Sequence, residues 1–394
     1  MAHTVPPAAT PTTVTVVIPL WNGADVIGEC LAALHAHSGA RLHSVIAVDN
    51  ASADDGPARI ARNFPQVQII RSPFNLGFAG GVNLGLAAAF NQPADQPADQ
   101  PVCDLAVLLN QDCLVDAGWL DALCAVLADD PRAAIAGCTI YNPDGTVNHA
   151  GATVEHPLAR ARHFTDVPAA PARVEYVTGA LFAIRRAAWE ALGPLDAGFY
   201  PAYYEEADYC YRAAAHGWGV LYAPAASAHH LQNSRAWRAD PLLHTVHQQR
   251  ARYRFVAKHW AGPALAGFLR AEAEAVAAEA WLDQTLGRAL AARHTLRHLD
   301  AILLRRRDEL GAELGADLAP ADRLRLEVEL GALAQTALRR SYVLAGRGHA
   351  ESFDRRVRRR LHLLGEDAPH LPPAAAQAAA QAHVLALLAE YEYR

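Results

Sequence analysis

Short apolar runs alternate with helically spaced apolar positions over the first two-thirds of the chain. Val14–Leu20 (VTVVIPL) is rich in β-branched residues and predicts a buried strand. Apolar positions at Val26, Ile27, Leu31 and Leu34 then recur at helical spacing within residues 24–37. A strand at 44–48, a helix at 57–63 and a strand at 67–71 repeat the alternation. The glycine-rich stretch 75–85 opens a helix reaching about Phe90. Leu105–Leu109 is apolar throughout, as expected of a strand covered on both faces. A helix running through Ala128, a strand near 133–140 and a strand-like run at 175–184 interrupted by Gly179 come next. A helix at 186–192, a helix from about Glu205 and a strand at 220–222 follow, while residues 154–174 show no clear period. This order predicts an α/β domain with a mostly parallel sheet and right-handed crossovers.

From about residue 241 the composition shifts to Ala, Leu, Arg and Glu, and the spacing becomes helical through 242–260, 264–307, 323–343, 353–364 and 374–391. The chain therefore reads as a loose Pro/Thr/Ala tail (1–13), an α/β domain (14–240) and an α-helical region (241–394) packed as a bundle or extension. Residues 91–101, NQPADQPADQP, are a Pro-rich surface insertion built on a duplicated QPAD unit.

Of the 394 residues, 52% are apolar and 19% charged, enough for a large core plus a second piece. The net charge of −6 speaks against a nucleic-acid partner, which requires a basic face. Phosphate binding by this acidic chain would need a metal, helix N-termini or a few local arginines. Six cysteines without a CxxC pair point to reduced core thiols. The N-terminal residues lack the apolar stretch of a signal peptide and no apolar run reaches membrane-spanning length, so a cytoplasmic location is expected. Arg355, Arg356, Arg358, Arg359 and Arg360 beside Leu361, Leu363 and Leu364 suit either a solvated helix face or peripheral contact with an anionic membrane. Homo-oligomerisation through these helices is a third reading.

Three stretches carry candidate chemistry. Leu105–Leu109 ends in Asn110-Gln111-Asp112, where an open α/β sheet collects ligands and a carboxylate can hold a hard cation. A turn before the next helix is the structural alternative for Asp112. The segment NLGFAGGVNLG at a strand-to-helix junction suits close approach of a ligand to backbone, with helix N–H groups available to an anion. It is neither a Walker loop nor GxGxxG in register, and tight helix packing would explain its glycines equally well. On a helix from Glu205, Glu205 and Asp208 share a face while Glu206 lies about 100° round. Asp208 can also pair with Arg212 four residues on.

Taken in series, VVIPLWNG, VDNASADDG, NLGFAGGVNLGL, LLNQD, VTGALFAIRRAAWEALGPLD, FYPAYYEEADYCYRAAAHGWGVLYAPAASAHH and RARYRFVAKHW resemble the inverting family 2 glycosyltransferases of the GT-A fold, especially the bacterial rhamnosyltransferase-like branch. The likeness covers roughly residues 14–260. It implies a nucleotide-diphosphate-sugar donor (dTDP-rhamnose or a UDP-sugar), Mg2+ or Mn2+, and a glycan or lipid-linked hydroxyl acceptor in surface-glycan synthesis. By the same resemblance, Asp49 would hold the nucleotide base, with Pro19, Asn22 and Asn50 in that pocket. Gly77, Gly80, Gly81 and Asn83 would stand near ribose, diphosphate or sugar. Asn110-Gln111-Asp112 takes the place of the DxD-like motif, with Asp112 as metal ligand. Glu206 takes the place of the general base, one methylene longer than the family's Asp, with Glu205 as fallback. His229 or His230 would contact metal or diphosphate. Arg235, Trp237 and Arg238 follow on a loop that reads either as a lid bringing arginines to the diphosphate or as a solvated loop. Two other classes stay open at this point: a sugar nucleotidyltransferase and a non-catalytic nucleotide-sugar-binding scaffold.

Overall fold

The computed structural model describes residues 13–90, 103–231, 241–311 and 317–346. The chain divides into two compact units. The first comprises Met1–Glu155, Arg160–Ser234 and Glu309–Leu314; the second comprises His156–Ala159, Arg235–Asp308 and Gly315–Arg394.

The strands are β1 (Val14–Leu20), β2 (Leu42–Asp49), β3 (Gln68–Arg71), β4 (Leu105–Leu109), β5 (Cys113–Val115), β6 (Ala133–Tyr141), β7 (Val147–His149), β8 (Ala152–Glu155), β9 (Arg160–His163), β10 (Ala172–Arg173), β11 (Leu181–Arg185) and β12 (Gly219–His230). Helices α1 (Ile27–His37), α2 (Gly56–Asn63), α3 (Gly77–Phe90), α4 (Trp119–Asp129), α5 (Arg186–Leu192) and α6 (Glu205–Ala215) lie between them. The main sheet runs β10-β12-β6-β11-β4-β1-β2-β3, with β5 on β12 and β7 on β6, while β8 and β9 form a separate hairpin. Every residue of β4 and β11 is buried, which accounts for the unbroken apolar run of β4 and for the first four residues of β11; the closing Arg185 is held by the carbonyls of Ala133 and Leu127.

The expected parallel run holds for β3-β2-β1-β4. Beyond β4 the sheet is mixed: β11 enters antiparallel to both β4 and β6, and β12 lies parallel to β6. The run expected at 175–184 is a strand only from Leu181. Before it, Tyr176 makes a single bridge to Ala152 and Gly179 interrupts the pairing. The stretch after Tyr222 continues as part of β12, with its register on β6 shifting between Ala223 and Ser227. Within residues 154–174, the β8–β9 hairpin and β10 replace the expected irregular segment; their short strands, exposed on β9, left no apolar period to read.

Glycines set the approach of α3 to the sheet. A side-chain carbon on Gly85 would overlap Val17 and reach Val48, so α3 lies on β1 and β2 at a distance only glycine permits.

In the second unit, α7 (Pro241–His259), α8 (Gly262–Ala278), α9 (Leu282–Arg297), α10 (Leu299–Leu310) and α11 (Pro320–Gly346) follow one another. The helix expected over 264–307 is thus three helices. Buried Glu272 is held by Arg252 at 2.6 Å and Arg288 at 2.7 Å, a geometry that compensates the cost of removing these charges from water. The Arg355–Arg360 cluster, the helices expected at 353–364 and 374–391, the insertion at 91–101 and the tail before Thr13 lie outside the described residues. Among the described residues, no helix is long and apolar enough to cross a membrane.

Candidate active site

The site lies along the edge of the sheet where β1, β2 and β4 end. In a parallel sheet these ends are aligned by register: Leu20 pairs with Asp49, and Val17 with Leu108. Asp49 and Asp112 therefore emerge on the same rim, on either side of the β1 end.

At the β2 end, Asp49 is buried, accepts the Ser52 N–H at 2.9 Å and stands 3.7 Å from the exposed Arg71 guanidinium. Pro19 is half-buried within β1, paired with Val48. Asn22 ties two loops together: its N–H donates to Ser52 Oγ at 3.1 Å and its Oδ1 accepts the Ala53 N–H at 2.8 Å. Asn22 and Ala51 both have positive φ, a conformation side-chain-bearing residues adopt at a cost and one that clusters at functional rims. Trp21, one residue beyond β1, is 40% exposed.

The glycine segment is held by protein partners of its own. Asn50, expected in the nucleotide pocket, clamps the segment: it accepts the Leu76 N–H at 2.7 Å and donates to Gly77 O at 2.9 Å. The first α3 amides are already engaged, Gly77 N–H with Asn75 Oδ1 at 2.8 Å and Phe78 N–H with Pro201 O at 2.7 Å. An anion thus finds these two donors taken. Gly80 abuts Leu76 and Gly81 abuts Asn50. Asn83, expected near ribose or diphosphate, holds both polar groups of Leu195, donating to its O at 2.8 Å and accepting from its N at 2.9 Å. Asn50 and Asn83 thus fix the segment from below, and Gly80 and Gly81 let it pack closely.

At the β4 end, Gln111 accepts the Trp21 N–H at 2.8 Å and donates to Trp21 O at 3.1 Å, fixing the loop after β1. Asp112 Oδ1 stands 3.1 Å from His230 Nε2, and Asn110 Nδ2 lies 3.4 Å from the same nitrogen. The pairing of β12 with β5 sets His230 opposite Cys113, beside Asp112. His229 stacks on Tyr141 at 5.2 Å and lies 3.7 Å from Asp116, as alternation along a strand requires. One carboxylate oxygen and one imidazole nitrogen this close can share a divalent cation, leaving its other positions to water and phosphate. Cys113 is within reach of both, but burial and Asp112 push its thiol well above the usual range, so it stays protonated.

Glu205-Glu206 opens α6 behind two residues of positive φ, Tyr203 and Tyr204. The i,i+3 pair Glu205 and Asp208 faces inward. Asp208 and Arg212 form a fully buried ion pair at 3.1 Å, and Arg212 also donates to Leu192 O and Pro194 O, both at 2.9 Å. Glu205 is buried with its Oε2 unpartnered, and burial together with Glu206 and Asp208 raises its pKa well above the carboxylate range. Glu206, turned off that face, is half-buried next to Gly179, and desolvation pushes its pKa up to about 7.

The antiparallel pairing of β11 with β4 brings this acid to the rim. Leu181 lies opposite Leu109, and the Asn110 N–H donates to Ala180 O at 3.0 Å. Gly179, directly preceding, is the residue Glu206 stands over.

The model for glycosyltransferase-like family 2 matches residues 11–253. The chain belongs to this family. It is a glycosyltransferase with the GT-A fold, and this membership displaces the nucleotidyltransferase and scaffold readings. It is 27% identical over 237 residues, 56% of this chain and 76% of the relative, to the N-acetylglucosaminyl-diphospho-decaprenol L-rhamnosyltransferase of Mycobacterium tuberculosis. Over 108 residues, 24% of this chain and 8% of the relative, it is 32% identical to the O-antigen biosynthesis protein RfbC of Myxococcus xanthus. The crystal structure of GalNAc-T7 with UDP, GalNAc and Mn2+ superimposes with a TM-score of 0.53 at 18% identity, covering 66% of this chain and about half (51%) of that one.

Several rim residues of this family-2 enzyme escaped the sequence reading: Trp21, Arg71, Phe78, Gly179 and Tyr200. Gly179 left a trace as the break in an apolar run, and Tyr200 as part of the aromatic run FYPAYY just before the acids. Arg71 looked like the charged end of a strand. Arg235 lies outside the described residues.

Proposed function

We propose that this family-2 glycosyltransferase moves a sugar from a nucleotide-diphosphate-sugar to a hydroxyl of a glycan or lipid-linked acceptor, inverting the anomeric carbon. One observation carries the reading: the Asn110–Ala180 hydrogen bond puts the Asp112–His230 pair and the Gly179–Glu206 contact on the same sheet edge. Asp112 and His230 would hold Mg2+ or Mn2+. The bound ion would supply neutralisation of the charge on the departing diphosphate, which an acidic chain lacks elsewhere. Asp49, with Arg71 beside it, takes the nucleobase end of the donor. Glu206, made a stronger base by desolvation, accepts the proton of the attacking hydroxyl. Attack from the face opposite the leaving group inverts the centre in one displacement, so no enzymic nucleophile is needed.

The mycobacterial relative's name, an L-rhamnosyltransferase for a sugar carried on diphospho-decaprenol, supports a rhamnose donor, for which dTDP-rhamnose is our choice, and a lipid-linked acceptor. The test is a thermal-shift titration with dTDP, UDP and GDP, each with and without Mn2+. A metal-dependent shift with one nucleotide, lost in Asp112→Ala, is expected. Absence of any shift, or a shift indifferent to Asp112, would sink the proposal. NMR of the first-formed product, reading its anomeric configuration, tests inversion.

A further inference from the structure

The residues leading into the base are aromatic: Phe199, Tyr200, Tyr203 and Tyr204 flank Pro201 and Ala202. Tyr200 is 47% exposed, and its ring lies against the α carbon of Gly77. A side-chain carbon built there would stand 2.8 Å from Tyr200 Cδ2 and 2.8 Å from Pro201 O, and Gly77 has φ of +72°, so glycine is required on both counts. The next residue, Phe78, is tied to the same segment through its N–H bond to Pro201 O. Its half-buried ring runs to Gly179, where an added carbon would lie 3.2 Å from Phe78 Cζ and 3.9 Å from Glu206 Cβ. Gly179 is not among the residues of positive φ. Its glycine is therefore explained by space rather than dihedral angle: the tip of the Phe78 ring packs on Gly179 beside the acid, and a side chain here would have to displace that ring.

A pyranose presents an apolar C–H face and a rim of hydroxyls. Aromatic surface beside one placed carboxylate suits both parts of such a ring, and rigid aromatics lose little entropy on contact. A peptide hydroxyl or a simple alcohol would leave this surface uncovered. The donor's diphosphate end belongs to Asp112 and His230, on the other side of the Asn110–Ala180 contact.

We propose that Tyr200 and Phe78 form the platform for the acceptor, a pyranose lying on their rings beside Gly179 with one hydroxyl turned to Glu206. The inference rests on Glu206 being the base. Saturation-transfer NMR on the full chain with Mn2+ and dTDP, using methyl N-acetyl-β-glucosaminide as probe, tests it. Saturation of the ring C–H protons is expected, with the probe's Kd raised about tenfold in Tyr200→Ala and in Phe78→Leu. Gly179→Ala is expected to weaken the probe similarly by pushing the Phe78 ring out of its place. The Kd for dTDP with Mn2+ stays as in the parent, which also confirms folding of each variant. No saturation in the parent protein, or a probe Kd indifferent to Tyr200 and Phe78, would overturn the proposal. Stronger saturation of a serine peptide or octanol than of the pyranoside would do the same. Loss of Mn2+-dependent nucleotide binding in the parent itself would be a failure of the functional reading instead.

Discussion

His230 Nε2 stands 3.1 Å from Asp112 Oδ1, two side chains that are 118 residues apart in sequence and are joined by the pairing of β12 with β5. Asp112→Ala should abolish the Mn2+-dependent thermal shift and transfer. His230→Ala should raise the Mn2+ Kd by about tenfold to a hundredfold, measured by calorimetry. Equal metal affinity in His230→Ala and the parent would remove His230 from the site.

Glu206 accepts a proton only when ionised, and its pKa is raised to about 7. Transfer should therefore rise with pH through an apparent pKa near 7 and level off above it. Glu206→Gln should lower kcat by about a hundredfold to ten-thousandfold and abolish that limb. A full-strength pH limb surviving in Glu206→Gln would assign the proton to another group.

Glu205 is an acid whose folded pKa is raised above the unfolded value by burial and by its neighbours. The folded state then holds this proton more tightly than the unfolded chain. That contribution is complete below the ordinary carboxyl range and is lost as pH climbs through the folded value. Glu205→Gln cannot ionise, so its Tm relative to the parent should increase between pH 4.5 and pH 8. A difference in Tm that does not change with pH would contradict this account.

Asn83 bridges α3 to Leu195 through both ends of its amide. Asn83→Ala should cost about 1–3 kcal/mol in chemical denaturation, since Leu195 is left with two unpaired groups. The nucleotide Kd should hold. Weakened nucleotide binding at unchanged stability would return Asn83 to the ligand pocket.

The Asp208–Arg212 pair is fully buried. Asp208→Ala leaves the buried guanidinium to Glu309 at 3.6 Å and two backbone carbonyls, and should destabilise the fold by about 1–3 kcal/mol, visible as a fall in the denaturation midpoint. If Asp208→Ala instead lost activity at unaltered stability, the residue would belong to the chemistry.

Sequence by itself determined the local elements and the acids. Val14–Leu20 and Leu105–Leu109 declare themselves because burial on both faces demands an unbroken apolar run. The i,i+3 spacing of Glu205 and Asp208 fixes which acids share a face, and so which one, Glu206, points off it. The tertiary structure decided what no local pattern encodes. The antiparallel insertion of β11 between β4 and β6 depends on hydrogen bonds between distant backbones, and it alone brings Gly179 to the rim. The choice of His230 at Asp112, with His229 on Asp116, follows from β12 pairing in one register rather than the next, and a one-residue slip would exchange the two. The glycines of NLGFAGGVNLG fit ligand approach and tight packing equally well as sequence. Only the tertiary structure supplies the packing neighbours, Leu76 for Gly80, Asn50 for Gly81 and Val17 for Gly85.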